Sequence, residues 1–144
     1  MPRPIVQVLG PDEFLLLEPY TYGWEVPPSE GITPRPARLI APAGFRFDGA
    51  SVPRLAHAFI GRLDLGLRAP LFHDLLYRYG GSLPQGIHQW YIDGEWVEVG
   101  AVWTRREADR LFGRHMREDR VPRWRRRAAY RAVRWFGGGS WRSR

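Results

Sequence analysis

The spacing of apolar positions divides the chain into a first half of short strands and a second half of helices around one hairpin. Ile5 to Leu9 is β-prone, Gly10-Pro11-Asp12 has turn composition, and Phe14 to Leu17 reads as a second strand. Residues 19–36 hold five prolines and three Gly or Ser, which predicts loop. Ala37 to Ala41 is a short apolar strand, and Gly44 to Phe47 a strand entering a turn at Asp48-Gly49. Pro53 is placed to open a short helix ending near Gly61. From Leu67 to Tyr79 the period is helical, with Pro70 early, where its missing N–H costs nothing, and Gly80-Gly81 as terminator. Trp90-Tyr91-Ile92 and Glu95-Trp96-Val97 flank Asp93-Gly94, a strong two-residue hairpin signal. Thr104 and Glu107 form a capping-box pair for a helix to about Glu118. Pro122 opens a last helix that stops at Gly137 to Gly139.

This order predicts an α+β fold: a small β half, then two antiparallel helices with an intervening β-hairpin and a basic C-terminal helix. At 144 residues the chain fits a single domain. Its parts would be a β-rich half over 1–65, a helical half over 66–136 with the hairpin at 88–99, and a tail over 137–144.

Composition narrows the chemistry. There is no cysteine, so disulfides and thiolate metal sites are excluded. The N-terminal residues lack the pattern of a signal peptide, and no apolar run approaches the ~20 residues of a transmembrane segment. All 22 basic residues are arginine, and they are unevenly placed. Residues 1–104 carry 8 Arg against 11 acids, a net of −3; residues 105–144 carry 14 Arg against 4 acids, a net of +10. Such a basic module suits phosphate, nucleic acid, lipid headgroups or an acidic protein surface. The plainer alternative is an amphipathic helix over 122–136 that packs on the body through its apolar residues, Trp124, Tyr130, Val133, Trp135 and Phe136 among them, and leaves a solvated basic face.

The polar residues inside the helical pattern are the candidates for function. His73 and Tyr77 share a helix face, and Asp74 adjoins them. Asp109 lies on the apolar stripe of the next helix with Phe112 and Met116, where a carboxylate needs a partner. A facing histidine would supply one, and a carboxylate that orients imidazole leaves the other ring nitrogen to take a proton from water. Asp109 could equally form a structural pair with Arg78 or Arg106. Asp48 and Ser51 fit a turn and helix cap, and His57, His88 and His115 lack metal-ligand spacing.

The pattern Phe72-His73-Asp74-Leu75-Leu76-Tyr77, a hairpin, then Ala108-Asp109-Arg110-Leu111-Phe112 resembles phospholipase A2 over roughly residues 66–117. The resemblance implies His73 as general base, Asp109 and Tyr77 as its orienting network, and Asp74 as a calcium ligand. In place of that superfamily's glycine-rich calcium loop stands Phe47-Asp48-Gly49-Ala50-Ser51-Val52-Pro53, with Asp48 as the nearest second ligand. A longer resemblance rests on Gly44-Phe45-Arg46-Phe47-Asp48-Gly49-Ala50-Ser51-Val52-Pro53, His73-Asp74-Leu75-Leu76-Tyr77-Arg78, Arg106-Glu107-Ala108-Asp109 and the helix from Tyr130 to Phe136. Together these are similar to an uncharacterised domain family common in tailed phages and prophages. That implies a phage-encoded protein, found in the virion or the host cytoplasm. Two functions follow: an ester hydrolase using a His73-activated water, or a non-enzymatic virion or tail component that binds other virion proteins through its arginines.

Overall fold

The computed structural model describes residues 3–10, 13–28, 33–48 and 66–141. The chain is α+β, and its described residues form two antiparallel sheets preceding and flanking three helices. The first sheet has the order β1-β2-β5, from β1 (Val6–Gly10), β2 (Glu13–Leu16) and β5 (Arg46–Phe47). The second has the order β3-β4-β6-β7, from β3 (Tyr20–Val26), β4 (Arg35–Ala41), β6 (His88–Ile92) and β7 (Glu95–Glu98). The helices are α1 (Arg68–Arg78), α2 (Arg105–Glu118) and α3 (Arg123–Phe136), and α3 runs into a 3-10 turn at Gly137–Ser140.

The proline-rich stretch read as loop contains β3. Tyr20 and Tyr22 are buried while Thr21 and Gly23, the residues alternating with them, are exposed, the period-two signature of a half-buried strand. The five prolines all lie outside it, and Pro36 is accommodated within β4. It pairs with Glu25 of β3, at a point where β4 has passed beyond β6, whose pairing spans Ala37 to Leu39. The short helix expected after Pro53 lies outside the described residues. The hairpin forms as expected, with Asp93 and Gly94 at φ 50° and 82°, the positive pair a tight turn requires. It extends the second sheet through β4.

α1 is central. Every residue from Leu71 to Tyr77 is buried, so the helix has no solvent face there. Leu71, Phe72, Leu75 and Leu76 pack with Leu16, Tyr22, Leu39 and Phe47 of both sheets. A second cluster joins the helices through Ala69, Phe112, Met116, Val121, Ala129, Ala132 and Val133. α1 and α2 are antiparallel, as the order of their contacts shows: Arg68 bonds Asp119, Phe72 packs on His115, His73 meets Asp109, and Arg105 reaches Tyr77. Thr104 caps α2 by accepting from the Glu107 N–H, and its hydroxyl lies 3.0 Å from the Glu107 carboxylate.

The last helix departs from expectation in which face it buries. Ala129, Ala132 and Val133 make the contact, because small side chains let α3 approach closely. Trp124, Trp135 and Phe136, expected to pack, are 59%, 74% and 65% exposed.

Candidate active site

A helix buried on all sides must satisfy any polar side chain it carries. On α1 the buried ones are Arg68, which pairs with Asp119 and Glu118, and His73, Asp74 and Tyr77. His73 Nε2 lies 2.8 Å from Asp109 Oδ1, and the Tyr77 hydroxyl donates to the same oxygen at 2.5 Å, a short charge-assisted bond. The other carboxylate oxygen accepts from Arg134 Nη1 at 2.7 Å. Asp109 is itself 0% exposed, so three donors from two other helices converge on one sealed carboxylate. One turn apart on α1, His73 and Tyr77 reach it together, with ring centroids 4.1 Å apart.

Two arginines of this network were missed by sequence reasoning. Asp109 pairs with Arg134, not with Arg78 or Arg106. Arg78 instead donates to the Arg46 carbonyl, and Arg106 is exposed. Arg105 Nε donates to the Tyr77 oxygen at 3.1 Å, while its Nη2 binds the carbonyls of Val133 and Arg134. A guanidinium on the last carbonyls of α3 is favoured by the helix dipole and supplies partners those carbonyls would lack. The only sequence signal for Arg134 was its place between the apolar Val133 and Trp135, which does not single it out among six arginines of that helix.

The electrostatics fix the protonation states. Burial pushes His73 below its ordinary value, against the opposing pull of Asp109, so the imidazole is neutral at pH 7. Burial works to raise Asp109, but the bonds from His73, Tyr77 and Arg134 outweigh it and hold the group below the usual carboxylate range. Burial and the Asp109 bond push the Tyr77 hydroxyl well up, so it stays a phenol and a donor. A neutral imidazole beside a carboxylate donates through Nε2–H, which leaves Nδ1 as the basic nitrogen.

Asp74 and Asp48 also come together: the Asp48 backbone N–H donates to Asp74 Oδ2 at 2.7 Å. For a calcium ion the donor set among the described residues is incomplete. They contain no cluster of three or more His, Cys, Asp or Glu suited to a metal, and one Asp74 oxygen already accepts from the main chain. Ser51 and His57 lie outside the described residues. His88 and His115, whose lack of metal-ligand spacing leaves a structural or a surface role open, are both buried; His88 accepts from the Trp103 indole N–H at 3.3 Å.

A sequence profile described as "Protein of unknown function (DUF1353)" matches residues 29–133, most of the chain. The chain belongs to the DUF1353 family. The match spans both halves of the fold and takes in His73, Asp74, Tyr77, Arg105 and Asp109, stopping one residue short of Arg134. No curated protein and no solved structure matches the chain. Among the described residues, no helix of this DUF1353 protein is long and apolar enough to cross a membrane.

Proposed function

We propose that this DUF1353 protein is a phage-encoded, phospholipase A2-like hydrolase in which His73 activates water for attack on an ester. One observation carries the reading: His73 Nε2 and the Tyr77 hydroxyl share Asp109 Oδ1 across two antiparallel helices, with Asp74 beside the histidine. In the proposed reaction Nδ1 takes a proton from water as the water oxygen bonds to the ester carbonyl carbon. The tetrahedral intermediate collapses, the carbon–oxygen bond to the alcohol breaks, and the leaving alkoxide recovers the proton from the imidazolium. Asp109 holds the ring and stabilises its charged form in between. His73 is 1% exposed, so turnover requires a motion that opens Nδ1 to water. No step runs through calcium, because Asp74 and Asp48 do not complete a donor set for it among the described residues. The phage origin rests on the motifs at 44–53 and 73–78, and the virion or host cytoplasm follows from it.

The test is hydrolysis of a panel of phospholipid and short-chain esters, with and without calcium, by wild type and by His73→Ala. Activity lost in a folded His73→Ala protein supports the reading, and activity retained removes the general base. The alternative, a virion component without catalysis, is favoured by the sealing of the same network, which also clamps three helices together. Wild type inactive on every ester would favour it over the hydrolase.

A further inference from the structure

The exposed side of α3 carries a second feature, separate from the His73 network. Trp124, Arg127, Arg131 and Trp135 recur at i, i+3, i+7 and i+11, which places them in one stripe, and all four are exposed. The two indoles are about 16 Å apart at ~1.5 Å of rise per residue, with the guanidinium groups between them. Beside this stripe, where Gly113 of α2 leaves room, a groove of about 290 Å³ is lined by Gly113, Arg123, Arg126, Arg127, Tyr130 and Arg131. Four of those six residues are arginines and none is acidic. Arg126 Nε is buried and has no hydrogen-bond partner among the described residues. α3 itself has six arginines and no acid, so nothing on the helix neutralises the groove.

An anion entering the cleft would give the Arg126 Nε–H an acceptor and relieve the repulsion among the guanidinium groups around it. The groove is large enough for a phosphate group, and α3 presents its N-terminal turns there, adding the positive end of its dipole. The indoles decide among phosphate-bearing partners. Large apolar rings left in water at both ends of a basic stripe cost free energy that a purely aqueous anion does not recover. A bilayer surface recovers it, because tryptophan partitions to the headgroup level while arginine takes the phosphates.

We propose that the outer face of α3 docks on an anionic membrane surface, with a lipid headgroup phosphate in the groove at Gly113 and Trp124 and Trp135 set into the interface. The proposal does not rest on hydrolysis. The test is co-flotation of the full chain with phosphatidylcholine vesicles, alone or containing phosphatidylglycerol, at low and high salt, with a duplex DNA arm in parallel. The protein should float with the anionic vesicles, stay behind with phosphatidylcholine alone, and be released by salt. Arg127→Gln with Arg131→Gln should weaken vesicle binding about 30-fold, at the worth of two basic residues near such a surface. Trp124→Ser with Trp135→Ser should weaken it on vesicles and leave any DNA binding unchanged. All four positions are exposed, so circular dichroism should show both variants folded. Vesicle binding unaffected by the tryptophan changes, duplex DNA bound with vesicles ignored, or neither partner bound would each overturn the proposal. None of these results depends on whether the protein cleaves esters, so a failed hydrolysis assay and a failed flotation assay remain distinguishable.

Discussion

Replacing Asp109 by alanine should cost this protein a large share of its stability, and the loss can be worked from the donors left behind. The carboxylate accepts from His73, Tyr77 and Arg134. Arg134 is 25% exposed and can turn to water, so its loss is small. His73 and Tyr77 are 1% and 2% exposed and cannot. Each stranded buried donor costs ~1–3 kcal/mol, which together gives about 4 kcal/mol. The cost of breaking a buried ion pair by removing one partner, ~3–5 kcal/mol, is of the same size. Against a typical stability of ~5–15 kcal/mol this is severe but survivable. Urea unfolding followed by circular dichroism should show the midpoint falling by about 2 M, at a slope of ~2 kcal/mol per M. Adding Tyr77→Phe to Asp109→Ala should recover part of the loss, because the second change removes a donor the first has orphaned. An Asp109→Ala protein within about 1 kcal/mol of wild type, or a double variant worse than the sum of its parts, would refute the sealed three-donor carboxylate.

His115 is 0% exposed, packs edge-on to Tyr22 at 4.3 Å, and has no hydrogen-bond partner on either ring nitrogen among the described residues. Burial, reinforced by Arg68 and Arg114, pushes it down to about 3 from the ordinary 6.5. Between those values the unfolded chain holds a proton that the folded chain does not, so stability is full above pH 6.5 and drains as pH falls toward 3. His115→Leu should flatten that slope in thermal melts across the window; an unchanged slope would place the acid sensitivity elsewhere. Gly81 has φ +84°, and a Cβ there would meet the Trp103 carbonyl oxygen at 1.9 Å. Gly81→Ala should therefore cost about 3 kcal/mol or more, read as a lowered melting temperature, and a neutral result would mean that the 81–103 contact yields easily.

What the sequence made legible follows from which forces act locally. The hairpin, the capped α2 and the ends of α1 were readable because Asp93-Gly94, Thr104 and Gly80-Gly81 act within a few residues of themselves. The pairing of His73 with Asp109 was readable because a lone carboxylate on an apolar stripe demands a partner, and α1 offered one. β3 was hidden because the prolines around it mask the alternation of Tyr20, Thr21 and Tyr22. Arg134 was hidden because choosing one arginine of six depends on how α3 rotates. That rotation is set by Ala129 and Ala132 packing closely, not by the aromatic residues that dominate a hydrophobicity count. The same misjudgement buried Trp124 and Trp135 on paper, where the structure leaves them in water.

The most direct test of the account is the state of the His73 imidazole, read by nitrogen-detected NMR of the ring through a pH titration. A base oriented by Asp109 and kept neutral by burial predicts the Nε2–H tautomer at pH 7. Its hydrogen should lie in the bond to Asp109, Nδ1 should be unprotonated, and the titration midpoint should fall below 6.5. An imidazolium at pH 7, or the opposite tautomer with Nδ1 protonated, would contradict the account, because the nitrogen turned away from Asp109 would then carry a proton and could not take one from water.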